Sequence, residues 1–454
     1  MRACGLVATI LATLFFYPEI RYSSNHRNPN QKERPFHMNH FLVFKQEKQY
    51  HRLFWAGLIN GIGDRFSQVA VLGLLLSLTG SGLAVGITFA IRLVPYLLFG
   101  PLGGMLADRL SKKSIMIATD LIRIVFALAP LLVVDSSDIW IIYASSFLLS
   151  AGEALYAPAR MSSIPQMVQK KSLLSVNGLE EAMLGIVLIG GSLTGGIIAA
   201  TIGVEAIFVL NALSFLFSAL LLSKLTMENK KAPESPEQVP GGSRANGMNE
   251  FRQLLSGSAF VRIMLIVFAL WPIGDGIFNI LLSVYAVQVF HMGDIGIGTL
   301  YGALGLGLVA GSSFTGKFAN KMKVAAVLAL LLEGIVNMLI SQSTHFALVV
   351  LLLIITAGCS AIGNACNRTI LMNVVPEHFQ GRFFATLATV QNTIMGATMF
   401  LAGLGLEKMA PRTLGFAGGL LFVTAGGVLA LIFFTYLHKK DREHHPTPGQ
   451  EEVY

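Results

Sequence analysis

One pattern dominates this chain: apolar runs of about 18–25 residues that recur from residue 53 almost to its end. Each is long enough for a helix to cross the hydrocarbon core of a bilayer. Composition agrees, with 54% hydrophobic and 13% charged residues, where a soluble domain carries about 25% charged. The expected fold is an all-α polytopic membrane protein. A net charge of +8 raises nucleic acid as a partner, but the Lys and Arg cluster at the ends of apolar runs, where topology explains them. Cys4, Cys359 and Cys366 form neither a disulfide framework nor a metal-ligand spacing, so no metal and no cofactor is expected.

Twelve spans can be read, at 53–79, 83–106, 113–134, 139–157, 175–200, 204–224, 261–289, 296–318, 324–341, 346–370, 382–406 and 414–437. Lys45, Lys48 and Arg52 precede the first. Arg109, Lys112 and Lys113 follow the second, and Arg160, Lys170 and Lys171 follow the fourth. Lys317, Lys321 and Lys323 follow the eighth, Arg382 the tenth, and the tail holds Lys439, Lys440 and Arg442. The alternate loops lack Lys and Arg except for Lys408 and Arg412. Basic loops stay in the cytoplasm, so both termini are expected there. The division is an extension at 1–52, a six-helix half at 53–225, a Pro- and Gly-rich linker at 226–258, a second half at 259–437 and a tail at 438–454. Residues 1–37 read as an extension upstream of Met38, or a tail, and are not counted as a span.

The halves repeat. "GIGDRFSQ" of span one matches "PIGDGIFN" of span seven, aligning Asp64 with Asp275, and "GGMLADRLSKK" matches "GKFANKMK", aligning Gly104 with Gly316. Repeat-built helical membrane proteins that place sites between their halves are characteristic of transporters. On these residues the chain resembles the major facilitator superfamily. Gly104, Asp108, Arg109, Lys112 and Lys113 are similar to its loop motif, with Ser111 in place of the second Gly. "YAPARMSSIPQMV", "VNGLEEA", "NALSFLFSALLL" and "VVPEHFQGRFFATL" resemble the branch that includes enterobactin and macrolide efflux proteins. "GSLTGG" (Gly191, Gly195, Gly196) is similar to the glycine element of antiporters, with Ser192 in its Pro position. Close helix packing is the other reading of these glycines.

The resemblance implies a cytoplasmic gate in which Asp108 accepts hydrogen bonds from the first turn of span eleven, at Gly381 and Arg382. Free N–H groups there favour an anion. Glu153 is placed to pair with Arg109 in the same gate. Glu180 and Glu181 lie near it.

An ionisable group inside the membrane is expensive and therefore a functional candidate. Counting ~1.5 Å per residue from Leu53 puts Asp64 about 16 Å deep, and Asp275 is similarly placed. Asp64 is the first candidate for proton coupling, with Arg92 as its tuning partner; a fixed pair with Arg92 or Arg65 is the structural alternative. Asp275 and Glu333 follow. Asp120 and Arg123, three apart in span three, should neutralise one another. Asn60, Gln68, Trp271, Asn279, Tyr285 and Asn364 are candidates to line a substrate cavity.

No phosphate-binding loop and no hydrolase or metalloprotease motif is present. The expected function is secondary export of a hydrophobic or amphipathic small molecule by proton antiport across a bacterial plasma membrane, by a monomer in contact with membrane lipid. A lipid or lysolipid flippase on the same fold, and a non-transporting receptor or scaffold, are the alternatives.

Overall fold

The computed structural model describes residues 46–79, 82–226, 259–376, 379–406 and 408–444. The first half comprises α1 (Lys48–Thr79), α2 (Gly82–Arg109), α3 (Lys112–Leu128), α4 (Ile139–Met167), α5 (Leu173–Thr201) and α6 (Val204–Ser223). The second comprises α7 (Ala259–Val284), α8 (Gly293–Ser312), α9 (Met322–Gln342), α10 (Phe346–Val374), α11 (Gln380–Gly405) and α12 (Pro411–His444). Among the described residues there is no strand. Helices α3 to α12 each hold a described stretch long and apolar enough to cross a membrane. Residues 1–37 and nearly all of the 226–258 linker lie outside the described residues.

Local chemistry sets several helix ends. Ser111 caps α3 by accepting a hydrogen bond from the Ser114 N–H (3.4 Å). Gly203 takes φ +112°, which only a residue without Cβ adopts easily, and so turns the chain between α5 and α6. Lys113 reaches the carbonyls of Ser223 (2.6 Å) and Leu225 (2.8 Å), and Arg52 that of Lys224, just past α6. These cations meet the carbonyl end of a helix dipole.

One boundary differs in a way that matters. Helix α4 continues ten residues past the expected end at 157, through Pro158 and Pro165. Arg160, expected in a loop, is therefore a buried helical residue. It can be buried because Glu180 of α5 pairs with it and Tyr50 donates to the same carboxylate (2.8 Å).

The two halves have the same packing scheme. In the first, α1 packs on α5 and α6, α2 on α4, and α3 on α4 and α6. In the second, α7 packs on α11 and α12, α8 on α10, and α9 on α10 and α12. Between the halves, α2 and α4 meet α11, while α5 meets α8 and α10. The repeat read in the sequence is thus a repeat in space. The end of the molecule that carries the α2–α3, α4–α5 and α8–α9 loops, called the basic end here, holds a large apolar cluster shared by both halves. Tyr50, Met116, Leu371 and Phe383 are among its fully buried members.

Candidate functional site

The halves are locked together at the basic end. Asp108, at the end of α2, accepts the Arg382 backbone N–H (3.3 Å) and faces the Arg382 guanidinium (Nε 3.1 Å) at the start of α11. Burial pushes its carboxyl up to about 6, against the lowering pull of Arg382, the Arg382 and Gly381 amides and Lys112. One turn back, a Cβ on Gly104 would lie 2.9 Å from the Arg382 Cα and 3.0 Å from the Gly381 carbonyl oxygen. Only glycine allows this approach. On the other side of the interface, Asn177 of α5 donates to Thr369 of α10 (2.9 Å), and Glu181 pairs with Arg368 (3.0 Å). The α8–α9 side of this interface is apolar: Leu174 packs against Ala325, Ala326, Ala365 and Cys366.

Farther from the basic end the contact between α5 and α8 thins. On α8, a Cβ at Gly305 would meet Ile189 and the Gly185 carbonyl of α5. At Gly302, one turn farther on, nothing lies within 4 Å.

Deep in the first half, Arg123 of α3 is the hub of an ion cluster. It pairs with Asp64 of α1 and with Glu153 of α4 (3.0 Å), and stands 3.9 Å from Asp120. Its guanidinium lies over the Phe215 ring of α6, 4.2 Å from the centroid. Asp120 is held by Asn60 (2.9 Å) and Ser218 (2.6 Å). Three carboxylates share one guanidinium. The Arg123 side chain is 2% exposed, whereas Asp64 and Glu153 are 24% and 31% exposed, so the acids face the space between helices.

This cluster corrects several expectations. Asp64 is neutralised by Arg123 rather than by Arg92 or Arg65, because a residue 59 positions away on α3 faces it across the packed helices. Arg65 instead donates to Gln68 (2.7 Å) and lies 5.8 Å from the Tyr301 ring centroid of α8. Arg92 lies on α2 on the same side as Arg65, as a like charge. Asp120 and Arg123 are not a self-contained pair. Glu153 does not meet Arg109, since the longer α4 carries it to the depth of Arg123 while Arg109 stays exposed at the basic end.

In the second half, Asp275 accepts from Asn279 (3.1 Å) and has no cationic partner among the described residues. Glu333 is buried beside Trp271, Ser360 and Asn364 around a small cavity. Tyr285 is not a cavity residue: it is 2% exposed, and its hydroxyl donates to the Pro411 carbonyl (3.4 Å). Gly191 and Gly195 press against Arg65 and Phe66 of α1. The surroundings of Gly196 lie outside the described residues. The residues that sequence reasoning missed are Arg160, Arg368, Asn177 and Ser218. A rule treating every intramembrane Arg as in need of an acid would have flagged the first two.

The chain matches the Major Facilitator Superfamily over residues 53–399. It belongs to that family. Macrolide efflux protein A of Streptococcus pyogenes is 22% identical over 393 residues, covering 83% of this chain and 94% of that protein. Enterobactin exporter EntS of Citrobacter koseri is 27% identical over 378 residues, covering 79% and 82%. A bacterial homologue of the iron transporter ferroportin in the outward-facing state shares the fold at TM-score 0.69 and 15% identity, covering 86% of this chain and 99% of that one. The human organic anion transporter MFSD10 does so at TM-score 0.64 and 15% identity, with the same coverage. This major facilitator protein is therefore a transporter rather than an enzyme, and a multi-pass protein of the bacterial plasma membrane.

Proposed function

We propose that this major facilitator protein exports hydrophobic or amphipathic small molecules by proton antiport, alternating between states open to either side. The observation that carries this reading is the Arg123 hub. Three carboxylates around one guanidinium leave negative charge that the one cation does not balance, the arrangement a proton-coupled site requires. Asp64 is the first coupling residue because it is paired yet accessible. Asp275, without a cationic partner among the described residues, is the second. The basic end faces the cytoplasm, and its contacts form the closed cytoplasmic gate of an outward-facing state, with Asp108, Arg382 and the Gly104–Gly381 approach on one side and Glu181–Arg368 on the other.

Macrolide and enterobactin exporters among the relatives support efflux of bulky natural products. Between the halves the chain offers Arg65, Arg92 and Tyr301 alongside Asp64 and Glu153, a mixed lining suited to amphipathic molecules. The test is reconstitution into liposomes with an imposed pH gradient and a fluorescent dye, a macrolide or a catecholate siderophore as cargo. Gradient-dependent flux that falls in Asp64→Asn and Asp275→Asn supports the reading; wild-type flux in both variants overturns proton coupling at these acids.

A further inference from the structure

The second half contains a polar site that the transport reading leaves unused. Helices α7, α9 and α10 enclose a cavity of about 20 Å³, lined by Trp271, Glu333, Ser360, Asn364 and Asn367 among apolar residues. A volume of that order holds one water-sized particle. Ser360, Asn364 and Asn367 fall at i, i+4 and i+7 on α10, so one helix face presents three polar side chains to it. Glu333 comes from α9 and is 7% exposed, with Trp271 and Ser360 beside it in the same lining.

Two observations ask for a cation here. The first is an unmatched acceptor. Asn367 is 8% exposed, lines the cavity, and its Oδ1 has no hydrogen-bond partner, although buried amide oxygens almost always have one. The second is charge. Among the described residues no Lys or Arg lines the cavity. Among the described residues, the charged groups acting on Glu333 are Asp275 of α7 and Glu181 of α5, both acids, and the other titratable neighbour is Cys359 of α10. Arg368 is engaged by Glu181. A buried carboxylate beside an unpaired amide oxygen and a hydroxyl is the oxygen-rich donor set that hard cations take. With one carboxylate, and no cluster of three acidic, His or Cys ligands among the described residues, the charge suits a monovalent ion.

We propose that this cavity binds a single dehydrated Na⁺, held by the Glu333 carboxylate, the Asn367 and Asn364 amide oxygens and the Ser360 hydroxyl. The site also reaches the gate. Asn364 donates to Ser360 (3.4 Å), and Glu181, an acid that faces Glu333, pairs with Arg368 across the interface. Occupancy at Glu333 is thereby tied to the contact that holds α5 against α10. A proton on Glu333 competes with Na⁺ for the same oxygen. The proposal does not depend on which ion drives transport.

The test uses the purified full-length protein in detergent, with thermal unfolding followed in NaCl, KCl and choline chloride at equal ionic strength. At pH 8, Na⁺ should raise Tm by about 2 °C or more, saturably and without an equal response to K⁺ or choline. The rise should shrink at pH 5.5, be lost in Glu333→Gln and weaken in Asn367→Ala. No rise, an equal rise with K⁺, or an undiminished rise in Glu333→Gln overturns the site. If Glu333→Gln does not fold, ²²Na⁺ binding to the wild type decides: saturable binding that acid displaces supports the site, and no binding overturns it. Loss of proton-driven flux in Asp64→Asn would leave these outcomes unchanged, so the two readings fail separately.

Discussion

The close approach of α2 and α11 at Gly104 offers a direct test of the gate. Replacing Gly104 by Ala adds a Cβ that would sit 2.6 Å from the Ala385 Cβ, 2.9 Å from the Arg382 Cα and 3.0 Å from the Gly381 carbonyl oxygen. Carbon atoms in contact prefer about 3.5–4.0 Å, so α11 must retreat by roughly 1 Å. The obstructing atoms are backbone and a Cβ, and no rotamer change relieves them. Overpacking of this kind costs about 1–3 kcal/mol. Because the clash exists only while α2 and α11 are closed at the basic end, that cost falls on one conformation, shifting the equilibrium toward cytoplasmic opening by about 5–150-fold. The assay is pulsed electron paramagnetic resonance between spin labels at the exposed Leu110 and Asn373, in a background with Cys4, Cys359 and Cys366 replaced. Gly104→Ala should lengthen the distance distribution while leaving the far-ultraviolet circular dichroism unchanged. An unchanged distribution in a folded variant would refute the reasoning. A fall in Tm without opening would show that the clash is absorbed within the halves.

Removing the hub should be worse than removing a spoke. Arg123→Leu leaves Asp64, Glu153 and Asp120 without their cation and should cost about 3–5 kcal/mol, read as a marked fall in Tm. Asp64→Asn leaves Arg123 with Glu153 and Asp120, so Tm should move much less while pH-driven flux is lost. Arg160→Met strands the buried Glu180 and should destabilise by a similar ~3–5 kcal/mol, and adding Glu180→Leu should restore most of it; no recovery in the double variant would contradict the pairing. Asp108 gives a pH dependence with a definite sign. Its carboxyl is pushed up to about 6 when the gate is closed and returns toward an ordinary value of about 3.9 when exposed. The closed form therefore binds more protons between about pH 4 and 6, and acidification through that window should favour closure, measured with the same spin labels. Asp108→Asn should flatten this part of the profile, and an opposite slope in the wild type would refute the assignment.

Much of the architecture was legible in the chain itself. Span length and hydrophobicity determine that twelve helices form, because a bilayer demands internally satisfied backbone over about 20 residues. The "GIGD" and "PIGD" repeats and the recurrent basic loops mark two equivalent halves, and the resemblance to the family's loop motif pointed to the contact between Asp108 and the start of α11 at Arg382. Helical periodicity fixes which face of its own helix a residue occupies, but not which neighbour that face meets. Arg65 and Arg92 therefore looked able to pair with Asp64, and only the convergence of side chains from α1, α3 and α4 makes Arg123 the hub. The same holds for Arg160, whose burial depends on α4 running ten residues further than its apolar pattern, and for Glu333. Its cavity exists only where α7, α9 and α10 converge. Local sequence determined which helix carries each charge, and the true helix ends together with the rotation and contact of helices far apart in the chain decided what each charge faces.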